Sequence, residues 1–175
     1  PQQRSSAASD VYKRQGLGKD HLSEMMIKRF KYENLKIDLI QRIKGKYPGL
    51  YSIQTDKKGN RSFSYWRNES AAKEMIKNCD LDNLEKFIGN TELFYYTGIS
   101  LGILKPKDQN KLIELSKKSK LTAFDFNYRN SFHGNKIKSQ SLFKKSNFFS
   151  KINFISFDDI IAVSYTHLRA HETYT

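Results

Sequence analysis

Cysteine is almost missing from this chain: Cys79 stands alone among 175 residues. A single thiol cannot close an internal disulfide, and without cysteine neighbours it cannot build a thiolate zinc site. A reducing, cytoplasmic setting is the simpler expectation. Long apolar runs are missing as well. No stretch of about eighteen apolar residues exists to cross a bilayer, and the first twenty residues hold no apolar segment resembling an export signal. No membrane partner is expected. Among residues that could bind a metal or activate a nucleophile, His21, Cys79 and His133 lie far apart, so neither a metal site nor a triad has support.

Acidic residues are in deficit, 18 against 31 basic ones, giving a formal net charge of +13. Nucleic-acid binding needs such charge gathered on one face, where it neutralises phosphates and releases counterions. Here lysines are scattered, and Lys, Asn and Ile are all abundant, as in proteins of AT-rich genomes. No nucleic-acid partner is expected, although an anionic small molecule would gain from the field. A non-catalytic basic binding module is the alternative that charge alone permits. Hydrophobic residues at 38% and aromatics at 13% fit a globular chain.

The two ends lack hydrophobic periodicity. Residues 1–15, which include Ser5-Ser6-Ala7-Ala8-Ser9, and residues 163–175, which run Val163-Ser164-Tyr165-Thr166-His167-Leu168-Arg169-Ala170-His171, offer nothing to a core. Both resemble translated sequencing-adapter peptides and are read as non-native or disordered tails. His167 and His171 then carry no chemistry.

Between them, residues 16–162 alternate. Leu22, Met25, Met26 and Phe30 recur at helical spacing, with Asp20 placed to cap a helix that ends near Asn34. The runs Leu50–Thr55 and Ser62–Arg67 flank the turn-rich Asp56-Lys57-Lys58-Gly59-Asn60 and predict a β-hairpin. Helices are expected near 70–77, 81–88, 106–118 and 137–149, and strands at 93–97, 121–126 and 152–157. Strands alternating with helices imply an α/β fold with a parallel sheet covered on both faces, the hairpin standing out as a lid-like appendage. In such sheets ligands collect beyond the carboxyl ends of strands, here Gly98-Ile99-Ser100 and Asn127-Tyr128-Arg129. Gly16-Leu17-Gly18-Lys19-Asp20 is not a Walker sequence and reads as a helix entrance.

Arginine is scarce in this lysine-rich middle: only Arg29, Arg42, Arg61, Arg67 and Arg129 occur. Where generic charge would be lysine, arginine suggests a need for its planar fork. Arg67 ends the second hairpin strand and Arg129 follows a strand's carboxyl end, so each could clamp a carboxylate or phosphate. Each could equally be a surface charge or a loop salt bridge. Tyr51 and Tyr65 could hold a polyol, but on a hairpin they more often form cross-strand packing pairs.

The strings Pro48-Gly49-Leu50-Tyr51-Ser52-Ile53-Gln54-Thr55-Asp56 and Gly59-Asn60-Arg61-Ser62-Phe63-Ser64-Tyr65-Trp66-Arg67-Asn68-Glu69-Ser70-Ala71-Ala72 are long and specific. With Thr97-Gly98-Ile99-Ser100-Leu101 and Asp125-Phe126-Asn127-Tyr128-Arg129 in the same order, they resemble the 2-dehydro-3-deoxygluconokinase branch of the ribokinase-like (PfkB) sugar kinases. The resemblance covers essentially all of residues 16–162. It implies a ribokinase-like αβα sandwich in which the hairpin 50–67 belongs to a β-sheet lid, through which the full-length protein could form a homo-oligomer. It implies that Tyr51, Tyr65 and Arg67 contact a sugar acid, that Arg129 reaches both substrate and nucleotide, and that Asn127 lies near the phosphates of ATP, used with Mg2+. A substrate carboxylate would give Arg67 and Arg129 their reason to be arginine. A neutral-sugar kinase of the same family, such as a fructokinase or ribokinase, is the alternative.

The family's amino-terminal glycine-rich sugar motif would precede Gly16. Its Gly-Ala-Gly-Asp motif, with the base aspartate, would follow Ala162. The chain is therefore expected to be an internal fragment without a catalytic residue of its own and without turnover. Asn130-Ser131-Phe132-His133-Gly134 also departs from the proline and tryptophan common in relatives.

Overall fold

In the computed structural model, residues 10–77, 79–129 and 136–164 are described. They form two compact units, divided between Met75 and Ile76.

In the first unit a short strand β1 (Gln15–Leu17) leads into helix α1 (His21–Tyr32). Asp20 caps that helix as expected: its carboxylate accepts from the Ser23 N–H at 3.1 Å and the Ser23 hydroxyl at 2.6 Å. The Ser23 hydroxyl is the main reason its pKa falls below the ordinary aspartate value. Strand β2 (Ile40–Arg42) runs parallel to β1, pairing Gln15 with Ile40 and Leu17 with Arg42. Neither three-residue strand is legible from periodicity, because each is too short to show alternation. The glycines before α1 serve close packing, since a Cβ on Gly18 would lie 1.8 Å from the Lys46 carbonyl oxygen.

Strands β3 (Leu50–Thr55) and β4 (Arg61–Trp66) form the expected antiparallel hairpin, with Tyr51 opposite Tyr65 and Ile53 opposite Phe63. Its turn is held by Asp56, whose carboxylate accepts from the Lys58 and Asn60 N–H groups at 2.8 and 2.9 Å. Gly59 supplies the positive φ of 84° that the reversal needs. All twelve strand residues are exposed. The stretch expected to be helical near 70–77 is a single 3-10 turn over Ala71–Glu74, packed on β1.

Residues 10–15 differ from the tail expected for them. The Lys36 N–H donates to the Val11 carbonyl at 2.8 Å and the Lys13 N–H to the Lys36 carbonyl at 3.0 Å. Arg14 donates to the Leu39 carbonyl at 2.8 Å and also to the Met75 carbonyl. Backbone pairing and an arginine fork hold this segment, and neither requires the apolar periodicity whose absence suggested a tail. Residues 1–9 and 165–175 lie outside the described residues.

The second unit is a three-stranded parallel sheet with helices between its strands. The order of elements is α2 (Leu81–Gly89), β5 (Leu93–Thr97), α3 (Gly98–Gly102), α4 (Pro106–Ser116), β6 (Leu121–Asp125), α5 (Lys136–Phe149), β7 (Ile152–Phe154) and α6 (Phe157–Ser164). β6 is central, with Leu93 opposite Leu121 and Ala123 opposite Ile152. One face carries Tyr96, Phe124 and Phe126 against Phe143 of α5, at ring separations of 4.9 to 5.5 Å. Burying a side chain of this size contributes about 1.5–3 kcal/mol, and the cluster shares the unit's core with Leu101, Leu112 and Ile113. β7 is shorter than expected: the chain leaves the sheet after Phe154, and residues from Phe157 form a helix. The cause is the Ser156-Phe157-Asp158-Asp159 sequence, a capping box that turns the chain out of the sheet.

Candidate functional site

The hairpin gathers three of the residues singled out by sequence. Tyr51 and Tyr65 are cross-strand partners with ring centroids 6.2 Å apart, and Phe63 stacks on Tyr65 at 6.0 Å with an interplanar angle of 7°. Packing between the tyrosines is therefore real, yet it leaves both half exposed, at 58% and 50%. Arg67 lies just beyond β4, its guanidinium carbon 3.9 Å from the centroid of the Tyr65 ring. A cation over an aromatic face is attracted by the negative charge of the ring's face, which holds the guanidinium beside the tyrosine. Arg29 and Arg42 do different work. Arg29 pairs with Glu33 at 2.5 Å, and Arg42 pairs with Glu24 while donating to the Gly18 carbonyl at 2.8 Å.

The other candidates lie in the second unit, at the carboxyl end of β6. There a cleft of about 1000 Å3 is lined by Asp125, Asn127, Arg129, Phe154, Asp158 and Asp159, among others. Asn127 adopts a positive φ of 36°, a left-handed conformation that asparagine tolerates better than most residues, and this turns the chain away from the strand direction. The next N–H, that of Tyr128, donates to the Asp159 carboxylate at 2.7 Å. Arg129 donates to the Tyr128 carbonyl at 2.8 Å and faces the cleft. Asn127 and Arg129 are thus brought together, while Tyr51, Tyr65 and Arg67 belong to the other unit.

Two acidic residues of this region escaped the sequence reading. Asp125 accepts from the Tyr95 hydroxyl at 3.0 Å across neighbouring strands. Burial first, and that acceptor second, push the Tyr95 phenol above its ordinary value. Asp159 is 6% exposed. Burial pushes its pKa up, but hydrogen bonds from Ser156 and Tyr128 and the charge of Arg129 outweigh that and hold it below the ordinary value. The signal that could have found it is the serine three residues before an aspartate at the end of an apolar strand.

At the carboxyl end of β5, Gly98 and Ser100 are absorbed into structure. Thr97 caps α3 by accepting from the Ser100 N–H at 3.2 Å, and a Cβ on Gly98 would meet the Phe126 carbonyl oxygen at 2.0 Å. Among the described residues no group of three or more His, Cys, Asp or Glu side chains could hold a metal ion. Also among them, no helix is long and apolar enough to cross a membrane. His133 and the departing loop around it lie outside the described residues.

Residues 15–150 match the pfkB family carbohydrate kinase pattern. The chain is 34% identical over 157 residues to the 2-dehydro-3-deoxygluconokinase of Escherichia coli strain K12, covering 87% of this chain and 51% of that protein. The chain thus spans about half the length of the curated relatives it matches. Its backbone resembles the 2-dehydro-3-deoxygluconokinase of Thermotoga maritima, with a TM-score of 0.73 at 20% identity, over 89% of this chain and 48% of the other. An uncharacterised sugar kinase of Pyrococcus horikoshii, solved in complex with ATP, gives a TM-score of 0.73 at 19% identity, over 90% of this chain and 51% of the other.

Proposed function

The chain belongs to the pfkB family of carbohydrate kinases, and we propose that the protein it comes from transfers the γ-phosphoryl group of ATP to 2-dehydro-3-deoxy-D-gluconate, giving the 6-phosphate. The observation that carries the choice of sugar is the 34% identity over 157 residues with a relative of that name. The placement of the two arginines supports it. Arg67, its guanidinium carbon 3.9 Å from the Tyr65 ring centroid, would offer its fork to a carboxylate, and Tyr51 and Tyr65, cross-strand partners on the same hairpin, would offer hydroxyls to the polyol. A neutral sugar would give that fork no anionic partner.

In the second unit, Asn127 and Arg129 are the residues we assign to the nucleotide phosphates, with Arg129 also reaching substrate. In their cleft the Arg129 guanidinium and the Asn127 amide are the groups that would meet phosphate oxygens, while Asp125, Asp158 and Asp159 also line it. Magnesium would arrive with its nucleotide, held by phosphate oxygens and one or two carboxylates. When bound, it neutralises charge on the phosphates during transfer. What the chain's own residues supply is placement: Arg67 orients the sugar acid, and Arg129 and Asn127 orient the phosphates.

A kinase spending ATP on a small sugar acid would work in the cytoplasm. The apolar side of the exposed hairpin supports the further reading that the whole protein pairs through its lid.

The test is a coupled assay of ADP release with 2-dehydro-3-deoxygluconate, fructose and ribose. It is run on this chain and on the longest reading frame that contains it. Turnover by the longer frame with the sugar acid and not with the neutral sugars is the expected result. Preference for fructose or ribose would overturn the choice of substrate.

A further inference from the structure

The Asp159 carboxylate serves two elements at once. Its Oδ2 accepts from the Ser156 N–H at 3.1 Å and the Ser156 hydroxyl at 2.6 Å, which fixes the start of α6. Its Oδ1 accepts from the Tyr128 N–H at 2.7 Å, thirty-one residues away in sequence. Capping α6 needs only the first pair. The second bond is made to the loop that leaves β6, at the residue between Asn127 and Arg129.

We propose that Asp159 is a positioning residue: through the Tyr128 N–H it anchors the loop after β6 and fixes how Asn127 and Arg129 face the cleft. Three features carry this. Asn127 holds a left-handed φ of 36°, a conformation that persists only where its surroundings determine it. The Tyr128 N–H is the first main-chain donor after that turn, and a charged acceptor makes the stronger kind of hydrogen bond. Arg129 in turn donates to the Tyr128 carbonyl at 2.8 Å, so the residue anchored at its N–H also holds, at its carbonyl, the guanidinium that follows it. The carboxylate receives three donors, and an amide at the same position could not accept all of them because one of its ends is itself a donor.

The functional weight of the anchor rests on the nucleotide reading of the cleft, but its existence does not. The discriminating variants are Asp159→Asn, which keeps size and removes the charge, and Ser156→Ala, which weakens the cap and leaves the Tyr128 bond in place. Hydrogen exchange of the Tyr128 amide is followed by NMR in the 175-residue chain. The Phe126 amide, which donates to the Phe154 carbonyl at 2.9 Å, serves as an internal reference for folding. Exchange at Tyr128 should accelerate about tenfold relative to Phe126 in Asp159→Asn and stay within about twofold in Ser156→Ala. Equal acceleration in both variants, or none in Asp159→Asn, would overturn the anchor and leave Asp159 a helix cap.

Titration with MgATP, observing the Asn127 and Arg129 amides, then separates the two ideas. Shifts in the wild-type chain that shrink in Asp159→Asn support positioning. Identical shifts in both overturn it. No response in wild type overturns the nucleotide reading of the cleft, while Tyr128 exchange still decides the anchor.

Discussion

Arg67 lies with its guanidinium carbon 3.9 Å above the ring of Tyr65, two residues earlier on the same strand end. That cation–ring contact holds the guanidinium beside the tyrosine before any anion arrives. In the whole protein, Arg67→Ala should weaken binding of the sugar acid by about 1–3 kcal/mol, because a charged hydrogen-bonding group is lost. Arg67→Lys should recover only part of it, since an ammonium neither stacks nor forks. Calorimetric titration gives both values, and unchanged affinity in Arg67→Ala would remove the carboxylate assignment.

Gly98 sits where β5 becomes α3, and a methyl group there would meet the Phe126 carbonyl oxygen at 2.0 Å and Cζ of Phe143 at 2.5 Å. Phe143 is fully buried against Phe124, so neither neighbour can yield without disturbing the core. Gly98→Ala should therefore destabilise the second unit by about 1–3 kcal/mol through overpacking. Phe143→Ala should cost about 3–5 kcal/mol by leaving a cavity. Urea unfolding followed by tyrosine fluorescence measures both, and a wild-type midpoint in Gly98→Ala would show that the backbone relaxes there.

Much of this architecture was legible because its elements are long enough to show a period. The helix after Asp20, the hairpin around Asp56-Lys57-Lys58-Gly59-Asn60 and the strand Leu93–Thr97 follow from spacing and turn chemistry, and they stand where those signals put them. β1 and β2 were not legible, since three residues make no pattern. The packed course of residues 10–15 was hidden for another reason: Arg14 holds it by donating to carbonyls distant in sequence. At the candidate cleft, the place of Asn127 and Arg129 after the strand was legible, while the role proposed for them comes from the resemblance. Asp159 was not, because its bond to Tyr128 spans thirty-one residues and leaves no local trace beyond the capping box.

The hairpin's exposed side offers a test of lid pairing in the whole protein. Tyr51, Ile53, Phe63 and Tyr65 are 46–58% exposed, and each strand contributes two of them to the same face. Phe63→Glu should shift sedimentation from dimer to monomer, because paired lids would bury a charge without a partner. Stability of the protomer should change by no more than about 0.5 kcal/mol, as at other exposed positions. A dimer that persists in Phe63→Glu would place any oligomeric contact elsewhere.

Asp159 also gives the second unit a dependence on acid whose sign is fixed by its hydrogen bonds. Burial alone would raise its pKa, but the Ser156 hydroxyl, the Tyr128 and Ser156 N–H groups and the nearby charge of Arg129 bring it below the ordinary 3.8. A carboxyl group with a lower pKa folded than unfolded binds fewer protons in the native state, so its contribution is present above the unfolded value. That contribution is lost as pH falls below 3.8 and through the folded value. Stability of the wild-type chain should therefore decline through this range more steeply than that of Asp159→Asn, which has no proton to gain there. Other depressed carboxylates, among them Asp20, Asp56 and Glu114, titrate in both proteins and cancel in the comparison. Urea unfolding at a series of pH values from about 6 downward supplies the two curves, and their difference isolates this carboxylate. Parallel curves would mean that Asp159 titrates alike in the folded and unfolded chains, and would overturn its part in the acid dependence.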